Sequence, residues 1–140
     1  MTTFRYLKQY IIDGYWLGPS ISRTPAIRSR YQDHLKFVRA NYVSPADQIK
    51  IQHFNYKPFK NDNGLVLALP THNSVSTDFG VMTENLFPYD IGDGLTQRIF
   101  WSTQPRKFCS NHEDYLWFVN TEENRSIHDL WHAHIFFRKR

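Results

Sequence analysis

The chain has 140 residues, of which 41% are hydrophobic and 21% are charged, and this composition excludes a disordered chain and fits one domain over residues 1–140. Its net charge of +4 is modest, and the only tight basic cluster is residues 138–140, which argues against a dedicated nucleic-acid binder. The single cysteine, Cys109, cannot form an internal disulfide, and no segment has the apolar length of a signal peptide or a membrane span, so a cytoplasmic protein is expected.

Three helices are predicted in the N-terminal third. The first, over residues 4–14, follows from apolar residues at helical spacing and ends at a glycine. The second, over residues 25–42, opens with an N-cap threonine and a proline, Thr24-Pro25, and has the most regular apolar periodicity. The third, over residues 45–53, opens with the same kind of signal, Ser44-Pro45.

The remainder of the chain is rich in β-branched and aromatic residues separated by turns. Strands are predicted at residues 65–69, 79–83, 97–103, 115–120 and 131–138. Residues 85–94 contain a proline and two glycines and are expected to form a long irregular loop. The sequence therefore predicts an α+β fold in which N-terminal helices pack on an antiparallel sheet of about five strands.

The last predicted strand carries the sharpest chemical pattern. Residues two apart on a strand share a face, so His132, His134 and Arg138 are expected to project from one side. Two imidazoles can serve as general acid and base near neutral pH, and arginine can hold a phosphate oxygen. The pair could also bind a divalent metal, but no third ligand has a recognisable spacing, so no metal is predicted. Equally, both histidines could hydrogen-bond within the protein and only orient the strand.

The loop at residues 85–94 and two tryptophans offer further binding groups. Asn85 and Tyr89 lie on this proline-stiffened loop, and loops often carry functional residues. Trp101 and Trp117, on predicted strands, could stack a base or a sugar. The alternative is that the loop is a packed connection and both tryptophans belong to the core.

Signatures of several common enzyme classes are absent from the chain. It has no G-x-x-x-x-G-K-[ST], G-x-G-x-x-G, G-x-S-x-G or C-x-x-C motif. P-loop nucleotide hydrolases, dinucleotide-binding domains, serine hydrolases of the α/β type and zinc ribbons are therefore excluded. Cys109 lies near His112 in sequence, but a catalytic thiol needs its partner close in space, so the two are not proposed as a pair.

A series of short motifs occurs in a fixed order along the second half of the chain. They are Asn85-x-x-Pro88-Tyr89, Gly94-Leu95, Ile99-Phe100-Trp101, Trp117-Phe118-x-Asn120, Arg125-Ser126-Ile127 and His132-x-His134. Together with Arg23-Thr24-Pro25 and Tyr31, they resemble the N-acetylglucosamine-induced protein family, a group of small domains. The resemblance spans roughly residue 22 to the C-terminus.

The resemblance implies that the shared positions converge on one pocket, without implying a particular reaction. These positions are Asn85, Tyr89, Trp101, Asn120, Arg125, His132 and His134. The chain departs from the family's pattern at Gln97, where the family has a histidine before the central strand. If that histidine belongs to a histidine-based site, the site in this chain is altered or lost.

These observations favour a small ligand-binding or hydrolytic domain for a phosphate-bearing ligand, either a nucleotide or a sugar phosphate. In this hypothesis Arg125 and Arg138 hold the anion. His132 and His134 supply acid–base or hydrogen-bonding chemistry, and Trp101 offers a stacking face. One alternative is a noncatalytic RNA- or nucleotide-binding module with tryptophan stacking, and another is a protein-interaction domain. The sequence specifies no cofactor and leaves open whether a reaction occurs.

Overall fold

The computed structural model describes residues 3–92, 94–108, 114–120 and 130–139. The elements within these ranges, in chain order, are α1 (Thr3–Gln9), β1 (Ile11–Ile12), β2 (Tyr15–Trp16), α2 (Pro25–Asn41), α3 (Pro45–His53), β3 (Lys57–Lys60), β4 (Val66–Leu69), β5 (Val81–Glu84), β6 (Leu95–Ser102), β7 (Tyr115–Phe118) and β8 (Trp131–Arg138). The α+β class is confirmed.

The sheets differ in detail from the single sheet of about five strands that the sequence predicts. The main sheet has four antiparallel strands in the order β5-β6-β8-β7, while β1 pairs with β2 and β3 pairs with β4 in two separate two-stranded sheets. Strand β3 is exposed along its whole length and contains a proline, so it lacks the apolar alternation that marks a half-buried strand. The predicted strand at residues 65–69 therefore joins β3 instead of the main sheet.

The predicted second and third helices are confirmed, whereas the first ends earlier than predicted. The side chain of Thr24 accepts a hydrogen bond from the Ile27 amide, and a proline opens α2 as the sequence indicates. Helix α1 ends at Gln9 because Asp13 (φ 51°) and Gly14 (φ 80°) form a tight turn between β1 and β2. Two consecutive residues with positive φ are typical of a two-residue hairpin, which a helical pattern does not reveal.

Helix α3 is fixed to the β3–β4 hairpin by the buried carboxylate of Asp47. Its Oδ2 accepts from the Ser44 hydroxyl (2.7 Å), and its Oδ1 accepts from the Ala68 amide (2.9 Å). The Asp47 amide in turn donates to Ser44 Oγ, which completes a reciprocal cap at the start of the helix. One side chain therefore both caps α3 and joins it to β4.

Replacing Asp47 with asparagine is expected to lower the free energy of unfolding by about 1 kcal/mol, because the amide nitrogen cannot accept from Ser44 while the remaining oxygen still accepts from Ala68. Urea unfolding followed by circular dichroism measures this loss. The matched control is Asp62→Asn in the exposed turn before β4, which should leave stability unchanged. Equal losses in the two variants would contradict the role assigned to Asp47.

The core lies between the helices and one face of the main sheet. Near α1, Phe4 and Leu7 pack with Leu116, Phe118 and Phe136. Near α3, a second apolar cluster forms from Ala46, Ile49, Phe54, Trp101 and Leu130. Between these two clusters the sheet face carries His132 and His134 beside Ile99, and the candidate site lies there.

Candidate functional site

A cavity of about 170 Å³ is bounded by α2, α3, the loop after β5 and the inner face of the main sheet. Helix α2 contributes Leu35 and Val38, and α3 contributes Ile49. On the sheet side, Ile99 of β6 pairs with His134 of β8. The walls thus combine apolar side chains from the helices with polar groups from the sheet and the loop, as in small-molecule sites.

The structure brings together most of the residues that the sequence singles out. Those that line the cavity are Asn85, Tyr89, Trp101, Asn120, His132 and His134. Trp117 and Arg138 lie elsewhere, and Arg125 lies outside the described residues.

The two histidines share the inner face of β8, as the alternation predicts. Their ring centroids are 5.5 Å apart, and their side chains are only 6% and 4% exposed for His132 and His134. The His132 ring packs at a tilt against Trp101, with centroids 4.9 Å apart, and His134 stacks on Phe118 at 5.4 Å. Each imidazole therefore packs against one of the two apolar clusters.

Hydrogen bonds assign a donor nitrogen to His132 and an acceptor nitrogen to His134. His132 donates from Nδ1 to the Leu130 carbonyl oxygen (3.4 Å). The side-chain amide nitrogen of Asn120 lies 3.3 Å from Nε2 of His134 and donates to the Tyr89 hydroxyl, also at 3.3 Å. Because that amide nitrogen is a donor, Nε2 of His134 accepts, and the neutral ring carries its hydrogen on Nδ1.

Burial keeps His134 uncharged at neutral pH. Loss of hydration, with smaller contributions from the nearby positive charges of His132 and Arg23, lowers the pKa of His134 to about 3. At the cavity wall, burial also lowers the pKa of His34 and of His53. A general acid or base works best with a pKa near the operating pH, so His134 suits hydrogen bonding better than proton transfer.

Arg23 lines the cavity but is absent from the site residues that the sequence predicts. Its guanidinium lies between two rings, with Cζ 4.1 Å from the Tyr31 centroid and 4.7 Å from the Tyr89 centroid, and its Nε donates to the Phe87 carbonyl oxygen (2.7 Å). It is the only arginine or lysine among the described lining residues. Its place directly before the N-cap Thr24, within the Arg23-Thr24-Pro25 motif, was the available signal.

Gln97 holds the loop that carries Tyr89. Its side-chain amide accepts from the Tyr89 amide (2.9 Å) and donates to the Tyr89 carbonyl oxygen (2.8 Å), so both backbone groups of one loop residue are engaged. Gln97 therefore has a positioning role here. It holds the backbone of Tyr89, whose ring lies beside Arg23 and His134.

Asn85 closes the loop end of the cavity. Its Oδ1 accepts from the Phe87 amide (3.0 Å), which is the hydrogen bond of an Asx turn and fixes which way the side-chain amide points. The Nδ2 atom of Asn85 and the Nδ1 atom of His134 are both buried and have no hydrogen-bond partner among the described residues. Such groups are uncommon in native proteins, and each is a candidate position for a bound water, ion or ligand.

The remaining predicted binding residues have other surroundings. Trp101 is 6% exposed and donates from Nε1 to Thr83 Oγ1 (3.0 Å), so its ring is part of the cavity wall and offers no open face to solvent. Trp117 lies on the opposite face of the sheet, against Phe108 at 5.2 Å. Arg138 is exposed at the end of β8, with its guanidinium 3.9 Å above the Phe4 ring.

No cluster of three or more histidine, cysteine, aspartate or glutamate side chains within the described ranges is arranged to hold a metal ion. Cys109 and His112 lie outside the described residues. No helix in the described part of the chain is both long and apolar enough to cross a membrane.

Comparison with known proteins identifies the fold and no more. A scan against protein-family models found no match, and neither did a search of curated proteins. Among solved structures, the chain is similar to the crystal structure of HTC1, with a TM-score of 0.54 and 17% sequence identity, over 85% of this chain and 76% of that one. At this identity the similarity extends to the fold alone.

Proposed function

We propose that the chain is a small ligand-binding domain and that its cavity takes a phosphate-bearing molecule, either a nucleotide or a sugar phosphate. The observation that carries the proposal is Arg23, the one guanidinium in the described cavity wall, held by two aromatic rings and the Phe87 carbonyl. A guanidinium that is already held in place loses little further conformational freedom when it binds phosphate oxygens. Charge-assisted hydrogen bonds to phosphate are also strong. Arg23 therefore takes the role first expected of Arg138, while the role of Arg125, which lies outside the described residues, stays a prediction.

Binding is favoured over hydrolysis by the state of His134. His134 is neutral and enclosed, with its Nε2 occupied by Asn120. General acid–base catalysis of ester hydrolysis works best with a group whose pKa lies near the working pH, and the pKa of His134 lies well below it. The cavity supplies hydrogen-bond donors and a fixed cation instead, which recognise a ligand without changing it.

Family kinship, location in the cell and RNA binding are three further proposals. The order of the motifs from Asn85 to His134 supports kinship with the N-acetylglucosamine-induced protein family. The single cysteine supports a location in the cytoplasm. RNA binding through stacked tryptophans is a weaker candidate, because Trp101 is enclosed and Trp117 lies on the other face of the sheet.

Arg23→Gln is expected to weaken binding of the best phosphate-bearing ligand by about 10- to 100-fold, the usual cost of losing a hydrogen bond to a charged group. Isothermal titration calorimetry with inorganic phosphate, AMP, UMP and glucose 6-phosphate measures the effect. The matched control is Arg138→Gln, which removes another guanidinium seated on an aromatic ring but outside the cavity. This control should bind like the wild type.

Two outcomes would contradict the proposal. One is equal affinity in the Arg23 and Arg138 variants while circular dichroism shows both folded. The other is the absence of binding to every phosphate compound together with tight binding of single-stranded RNA, which would favour the nucleic-acid alternative.

A further inference from the structure

We propose that the cavity is specific for phosphate esters whose remaining part offers uncharged hydrogen-bond acceptors, and that Asn85 is the residue that determines this specificity. This inference rests on the proposed function and names the class of ligand within it.

Asn85 presents a donor whose direction cannot change. A side-chain amide can normally rotate by half a turn and exchange its oxygen for its nitrogen. Here Oδ1 is held by the Phe87 amide, which can only donate, so Nδ2 must occupy the other position. Nδ2 is buried and has no partner among the described residues. An oxygen of the ligand is the group that would satisfy it.

His134 provides a second donor of the same kind. Since Nε2 accepts from Asn120, the hydrogen lies on Nδ1, and Nδ1 likewise has no partner among the described residues. Both unpartnered groups that border the cavity are thus donors, and a ligand must bring acceptors to them. A ligand group that can only donate, such as an ammonium, leaves both unsatisfied.

The anion site and the acceptor site lie within reach of one small molecule. Arg23 holds the carbonyl oxygen of Phe87, and Asn85 holds the amide of the same residue. The two side chains therefore flank a single peptide residue, and a three-carbon phosphate ester is long enough to touch both. The charges agree with this assignment, because a cationic ligand group would lie beside Arg23 in a region of low dielectric constant.

Two small phosphate esters of similar size distinguish ligands with uncharged acceptors from ligands with an ammonium group. Glycerol 3-phosphate carries uncharged hydroxyl oxygens, whereas O-phosphoethanolamine carries an ammonium group. The wild-type chain is expected to bind glycerol 3-phosphate roughly tenfold more tightly, by titration calorimetry or by chemical-shift perturbation. Asn85→Asp keeps an oxygen for the Phe87 amide and replaces the donor with a charged acceptor, so this variant is expected to prefer O-phosphoethanolamine.

A second variant tests the same inference if Asn85→Asp does not fold. In Asn85→Ser the shorter hydroxyl can still accept from the Phe87 amide but does not extend to the position of Nδ2, and the ratio of the two affinities should fall toward one. Circular dichroism establishes that each variant is folded.

The outcomes distinguish this inference from the proposed function. Reversal of preference in Asn85→Asp supports the inference. Equal affinities in the wild type, or a ratio that Asn85→Asp leaves unchanged, overturn it, and the proposed function then stands if Arg23→Gln still weakens both ligands. Failure of the wild type to bind either ester or inorganic phosphate overturns both.

Discussion

Replacement of Gly80 with alanine is expected to lower the free energy of unfolding by about 3 kcal/mol, through backbone strain and overpacking together. Gly80 immediately precedes β5 and has φ of +82°, a conformation that L-residues with a side chain rarely adopt. An added Cβ would also lie 2.8 Å from the Trp101 carbonyl oxygen and would meet the Phe100 ring. The ring can turn, but the backbone oxygen belongs to β6 and cannot move without disturbing the sheet.

Gly64 provides the matched control, because it has φ of +77° but no atom within 4 Å of the position that a Cβ would take. Gly64→Ala should therefore cost only the strain of the left-handed backbone, about 1 kcal/mol. Urea unfolding followed by tryptophan fluorescence measures both variants. A loss for Gly80→Ala no larger than that for Gly64→Ala would show that β5 and β6 shift apart easily, which would also weaken the cavity wall that β5 forms.

Local signals in the sequence were sufficient for the elements that present the site. The Thr24-Pro25 and Ser44-Pro45 signals predicted the starts of α2 and α3, because a cap acts within one turn of helix. The bounds of β8 and the shared face of its two histidines followed from side-chain alternation, which is a property of the strand itself. These features depend only on residues close together in the chain.

The parts of the site that depend on distant residues could not be predicted in this way. Arg23 meets the Phe87 carbonyl across 64 positions of sequence, and no local pattern indicates that encounter. Arg138 alternates correctly with His134 along β8, yet the strand extends past the cavity and Arg138 reaches the Phe4 ring of α1. Alternation predicts the face of a strand, whereas packing of the helices decides which part of that face borders the cavity.

The stability of the wild-type chain is expected to fall by about 2–3 kcal/mol between pH 7 and pH 4.5 because of His134 alone. Its pKa in the folded protein is lowered to about 3 by burial, then by the charges of His132 and Arg23. In the unfolded chain a histidine titrates at about 6.5. Above that pH both states are neutral and His134 contributes nothing. Below it His134 binds a proton in the unfolded chain but stays neutral in the folded protein, so stability decreases as pH falls.

His134→Phe removes the titrating group and retains a ring against Phe118. Its free energy of unfolding, measured in urea across pH 4.5 to 7.5, should depend on pH less steeply than that of the wild type, by about the same 2–3 kcal/mol over the range. His34→Asn is the control, because its pKa is also lowered by burial but the side chain is only half-buried, so removing it should change the slope less.

The same titration links stability to the proposed ligand. A phosphate held at Arg23 adds negative charge near His134 and offsets one of the charges that lower the pKa of this histidine. Saturating phosphate should therefore reduce the acid sensitivity of the wild type more than that of His134→Phe, in which only the ionisation of the phosphate itself contributes. Identical slopes for wild type and His134→Phe without ligand would mean that the ring is hydrated in solution, and the enclosed, donor-bearing cavity on which the specificity of Asn85 depends would not exist.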